Sequence, residues 1–133
     1  MSTAYWCILV AAFLPYAWTA LAKRSGERYD NRDPRGWLAR QQNPLSVRAN
    51  AAHLNAFEAF APFAASVLMA QLAGVAPGLV SLLAIAFVAF RILHGIFYLT
   101  GRHYLRSAVW TGGFMCVLAL MVQAALAASR VPG

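Results

Sequence analysis

The chain has 133 residues, 61% of them hydrophobic and only 11% charged, and its mean hydropathy is +0.57. A soluble domain carries roughly 25% charged residues, so lipid must be the solvent for most of this surface, and the length allows one domain over residues 1–133. The net charge of +7 does not point to nucleic acid, because no basic helix face or zinc-ligand spacing accompanies it.

The first apolar segment, residues 4–22, is uncharged. It begins without the positive leader that precedes a signal-peptide core, so it is expected to be a retained first span with the N-terminus outside. Cys7 and Cys116 lie in apolar runs far from any metal-ligand spacing and read as small packing residues. Residues 23–47 form a long polar connection rich in Arg, Asp, Asn and Pro, with turn signals at Asp33-Pro34 and Asn43-Pro44. A second segment, 49–73, is apolar except for Asn50, His53, Asn55, Glu58 and Gln71. The uncharged Gly-Pro turn around Gly74 and Pro77 makes it an antiparallel hairpin with a third segment, 75–101, which contains Arg91 and His94. A short basic link then leads to a fourth segment, 107–129. Each segment approaches or exceeds the ~20 residues a helix needs to cross the hydrocarbon core. Four segments are too few for a closed barrel, so the expected fold is an all-α integral membrane protein, a bundle of four transmembrane helices.

Charge sets the expected orientation. The first and third connections, counting Arg48 and Arg91, hold ten Lys/Arg, while the termini and the second connection hold one, Arg130. Both basic connections are therefore expected in the cytoplasm, with the termini outside. Tyr5, Trp6 and Trp110 fit an aromatic belt, and Pro15 and Pro62 are expected to kink their helices.

Polar groups at membrane depth are costly and mark packed contacts or sites. At about 100° per residue, Arg91, His94 and Tyr98 share one face of the third segment. Arg102 and Arg106 extend that stripe toward the cytoplasmic surface. Arg48, Asn55, Glu58 and Pro62 share a face of the second segment, whereas His53 points to the opposite side. A helix polar on two faces needs two protein neighbours, which places it at a subunit interface. Each residue also has a structural reading. Glu58 and Arg91 could be an ion pair that fixes register, Arg48 a snorkelling interfacial Arg, His94 a packing His, and Arg102 and Arg106 topology signals. Together the groups offer several cations, one carboxylate, an amide and a phenol, with no metal-ligand set and no Ser-His-Asp set. A peptide-like anion with a free amine matches them: carboxylates on the arginines, the amine on Glu58, and polar donors at Asn55 and Tyr98. An Arg or hydroxyl beside a bound thiol would favour its thiolate.

These residues resemble a known family. Arg48-x-x-x-Ala52-His53-x-Asn55-x-x-Glu58-x-x-x-Pro62 is similar to the signature of the MAPEG family, the membrane-associated proteins of eicosanoid and glutathione metabolism. Arg91-x-x-His94-x-x-x-Tyr98 followed by Arg106-Ser107 resembles that family's third-helix motif and its thiol-activating Arg. The resemblance covers essentially the whole chain, which looks like a member of the bacterial branch, similar to the microsomal glutathione transferases. It implies a homotrimer in the bacterial inner membrane with glutathione as thiol co-substrate, no metal, and a small lipophilic second substrate. It implies that Asn55, Glu58, His94 and Tyr98 bind glutathione from one subunit, while His53 and Arg106 reach it from the neighbour. Arg48 and Arg91 add cations for the anionic peptide, and Arg106, Ser107 and Tyr98 are the candidate catalytic groups. Two positions depart from the family pattern: Ala51 stands where an Arg often precedes the Ala-His/Gln pair, and Ala59 where the glutathione transferases often have Asn.

The leading expectation is thus a glutathione-dependent membrane transferase or peroxidase acting on lipophilic electrophiles. The alternative is a non-catalytic protein holding a lipid or anionic metabolite in the same intersubunit pocket. A third reading, a small transporter using Glu58, fits poorly with an arginine-rich pocket.

Overall fold

The computed structural model describes residues 1–129; Arg130, the one cation counted on the outer side, lies outside them. Among the described residues the fold is all helical: α1 (Ser2–Arg24), α2 (Pro34–Arg40), α3 (Pro44–Leu72), α4 (Pro77–Leu99) and α5 (His103–Ala128). Helices α1, α4 and α5 are each long and apolar enough to cross a membrane. Helix α3 is the longest, at 29 residues, roughly 44 Å at the α-helical rise. Its polar first half, with Arg48, His53, Asn55 and Glu58, sets it apart from the other three in composition.

The helix boundaries follow local chemistry. Asn43 accepts from the backbone N–H groups of Leu45 and Ser46, and Pro44 takes the first helical position, so α3 starts five residues before the apolar segment does. Asp33-Pro34 works the same way: Asp33 accepts from Gly36 N–H and opens α2. Both pairs carry the composition of turns, yet an Asx-Pro pair is equally a helix start. At the other ends, Gly74 (φ 75) and Gly101 (φ 71) close α3 and α4 with left-handed caps. The N–H groups of Val75 and Arg102 reach back to the carbonyls of Ala70 and Phe97.

Helix α1 runs antiparallel to α3 along three interhelical hydrogen bonds. Tyr5 donates to the Gln71 amide oxygen near one end. The Ser46 hydroxyl donates to Ala22 O at the other, 2.8 Å away. Between them His53 Nδ1 lies 2.8 Å from Pro15 O. In lipid the apolar effect between helices vanishes, so such bonds and close packing of small residues must hold the bundle. Ala4, Ala49, Ala70 and Ala84 are accordingly fully buried. Phe63 of α3 stacks on Phe87 of α4 with ring centroids 3.9 Å apart, at the centre of the core. Both prolines lie inside continuous helices.

Gly95 marks a close approach of α4 to α1. A Cβ there would clash with the Trp18 ring. Gly95→Ala should therefore force the indole aside and cost about 1–3 kcal/mol of stability. Thermal unfolding in mild detergent checks this; an unchanged midpoint would show that α1 and α4 do not meet at this point.

Candidate functional site: a polar cavity between α3, α4 and α5

Helix α4 contributes Arg91, 5% exposed and well inside the bundle. Its Nη2 donates to Asn55 Oδ1 of α3 at 2.6 Å, and Asn55 Nδ2 in turn faces Glu58 Oε2 at 3.4 Å. The direct Glu58–Arg91 ion pair weighed in the sequence does not form. Among the described residues the two ion pairs, Asp30–Arg32 and Asp33–Arg40, both lie in the α1–α3 connection. The physical reason is that Asn55, one turn before Glu58 on α3, takes the strong charge-assisted bond. Glu58 keeps an accessible carboxylate at the edge of the neighbouring cavity rather than closing onto Arg91. Arg91 Nε is the one buried side-chain polar atom without a partner among the described residues.

One turn further along α4, His94 is 3% exposed and meets the edge of Tyr98, with centroids 5.5 Å apart. Tyr98 in turn carries the Arg106 guanidinium of α5 over its ring, 4.4 Å from the centroid. The stripe expected on α4 thus continues across a helix boundary. These groups line a cavity of about 450 Å³, formed by Asn55, His94, Tyr98, Arg106 and Ser107, with Trp110 and Thr111 completing the wall. Of the three candidate catalytic groups, Tyr98, Arg106 and Ser107 all reach it. Of the candidate binding residues, Asn55 and His94 do so as well.

A second cavity of about 200 Å³ adjoins it and shares Asn55 and Trp110 as walls. Glu58 and Arg91 line it among Pro62, Phe87, Phe114 and Val117. A polar chamber therefore abuts a mostly apolar one, with Arg91 and Asn55 close to the join. Segment composition alone does not reveal this second chamber and puts Trp110 only in an aromatic belt. The signal was present: Ser107, Trp110, Thr111 and Phe114 recur at helical spacing on one face of α5.

Two candidates lie apart from these chambers. His53 packs on α1, hydrogen-bonded to the Pro15 carbonyl and edge-on to Phe57 with centroids 5.1 Å apart. The second polar face of α3 therefore finds its neighbour within the chain, so that face alone does not demand another subunit. Arg48 Nη1 lies 3.4 Å from Leu99 O, and its guanidinium packs beside Gly101. It caps the C-terminal end of α4, where carbonyls and the helix dipole favour a cation. Arg102 is the exposed N-cap of α5.

Helices long and apolar enough to cross a membrane surround a half-open polar cavity, the architecture of an integral membrane protein. The chain belongs to the MAPEG family, whose pattern matches residues 3–126. No curated protein and no solved structure matches the chain.

Proposed function

We propose that this protein is a glutathione-dependent membrane transferase or peroxidase acting on lipophilic electrophiles. The observation that carries the reading is Arg106, held over Tyr98 in the same polar cavity as Asn55, His94 and Ser107. Family membership supports it, because the family includes glutathione transferases. In this reading the peptide carboxylates bind the arginines, and Asn55 and Tyr98 supply polar donors. The amine approaches Glu58, whose carboxylate is not consumed by Arg91. Arg106 lies where it would stabilise the bound thiolate, with Ser107 able to donate a hydrogen bond to the sulfur. The apolar chamber beyond Trp110 suits the hydrocarbon part of a second substrate arriving from the bilayer.

The proposal includes four spans, with α3 crossing alongside α1, α4 and α5, since its length exceeds the ~30 Å hydrocarbon core. It includes an inner-membrane location with both basic connections cytoplasmic, supported by the charge split. It also includes a homotrimer in which neighbouring subunits complete the pocket. The exposed Glu58 and the openness of α3 toward its surroundings support that assembly. Within it, His53 acts by holding α3 against α1, and Arg48 by fixing the end of α4 above the cavity.

The alternative, a non-catalytic pocket for a lipid or anionic metabolite, is favoured by one feature. Ala51 stands where many members place an Arg, which removes a cation from the anion site. Turnover separates the two readings. Purified protein in detergent should conjugate glutathione to a chlorinated dinitrobenzene or reduce a lipid hydroperoxide faster than the uncatalysed reaction. Background rates with both substrate types, despite saturable glutathione binding, would favour the binding protein.

A further inference from the structure

The connection between α1 and α3 is far longer than joining two antiparallel helices requires. Helix–helix links in bundles commonly run about 2–8 residues, whereas this one occupies residues 25–43 and folds into a unit of its own. Trp37 of α2 is 4% exposed, donates through Nε1 to Arg28 O at 3.0 Å, and meets Tyr29 edge-on. Gln41, 8% exposed, ties the unit shut by donating to Trp37 O and accepting from Glu27 N–H. Residues 25–43 thus form a folded cap tied by its own hydrogen bonds.

That cap is strongly and unevenly charged. Residues 23–40 hold six Lys/Arg against Glu27, Asp30 and Asp33. Arg32 and Arg40 are paired with Asp30 and Asp33, and the Arg32 guanidinium holds the Asp30 carboxyl below its usual range. Lys23 lies over the Tyr29 ring. Arg24, Arg28 and Arg35 remain exposed and pair with no carboxylate among the described residues. The same connection holds a cavity of about 420 Å³ lined by Gly26, Glu27, Arg40, Gln41, Gln42 and Asn43, none of them one of the three unpaired arginines. The side-chain oxygen of Asn43 is engaged by the Leu45 and Ser46 N–H groups. The opposite connection, residues 73–76, carries no charge at all.

We propose that this cap is a binding site for the headgroups of anionic phospholipids. The cap follows directly from the apolar α1 and precedes α3, whose first turn exposes Leu45 and Val47 at 40% and 47%. That sequence of apolar helix, basic cap and exposed aliphatic residues fits the headgroup level of a bilayer, where clustered Arg and Lys attract anionic lipid. The unpaired guanidiniums supply planar, two-pronged donors suited to phosphate. The site is separate from the cavity at Asn55 and Arg106, so its test does not depend on the proposed catalysis.

The experiment compares thermal midpoints of the full-length protein in nanodiscs of phosphatidylcholine alone and of phosphatidylcholine with phosphatidylglycerol. The midpoint should rise by several degrees with the anionic lipid, and the rise should shrink in high salt. Arg28→Gln with Arg35→Gln should keep the phosphatidylcholine midpoint but lose most of that rise, and the Lys pair at the same positions should retain only the part carried by charge, a rise between those of the Gln variant and the wild type. Glycerol phosphate added to phosphatidylcholine discs should reproduce little of the effect. An equal rise in the Gln variant, no rise in the wild type, or a full rise from glycerol phosphate would each overturn the lipid assignment.

Discussion

Arg106→Ala is expected to abolish thiolate formation on addition of glutathione and to lower turnover by roughly 10²-fold or more, the usual consequence of removing a charge-stabilising donor. The free thiol titrates near pH 8.5, so at neutral pH an unassisted glutathione is mostly protonated. A guanidinium placed beside the sulfur reverses that balance. Arg106 is suited to the task because its guanidinium lies over the Tyr98 ring and lines the cavity. The cation also lies in the first turn of α5, where the helix dipole disfavours positive charge and no acidic residue offsets it. A bound anion would relieve that conflict. Arg102→Ala removes an exposed charge on the same connection and should change thiolate formation far less, because exposed charges are screened. Equal and small effects from the two substitutions would reduce Arg106 to a membrane-surface charge.

The second large effect concerns Arg91. Asn55→Ala should destabilise the protein by about 1–3 kcal/mol, since it leaves a buried guanidinium without its acceptor. Arg91 already has one unpartnered nitrogen, so the site has little polar reserve. A double-mutant cycle between Asn55 and Arg91 should give clear coupling in thermal stability. The same cycle between Glu58 and Arg91 should give less, because the amide intervenes and Glu58 is exposed. Stronger coupling for Glu58 than for Asn55 would mean that the carboxylate meets Arg91 directly and the amide bridge is wrong.

Much of this architecture was legible because lipid simplifies the code. Long apolar runs and a single uncharged Gly-Pro turn locate α1, α4, α5 and the α3–α4 hairpin almost without tertiary information. The polar groups of α4 were legible for the same reason: an Arg or His in such a run must point at protein, and a 3.6-residue period puts Arg91, His94 and Tyr98 on one side. What the sequence left open were partners. Periodicity groups Asn55 with Glu58 on α3 and Arg91 with His94 on α4, but does not show that the amide stands between the two charges. It sends His53 to the far side of α3 without revealing that a carbonyl of α1 waits there. The cap around Trp37 was hidden because Asp-Pro and Asn-Pro mark turns and helix starts alike, and α2 is too short to show a period. The apolar chamber escaped because its walls come from three helices, and Trp110 alone resembles an interfacial anchor.

The most direct test of the central claim is an ultraviolet thiolate titration of the purified wild-type protein with glutathione in mild detergent. The account predicts a saturable thiolate signal at neutral pH that an S-alkylated glutathione, lacking an ionisable thiol, displaces. A protein that binds glutathione without any thiolate signal, or fails to bind it at all, would contradict the assignment of this cavity as a thiol-activating site.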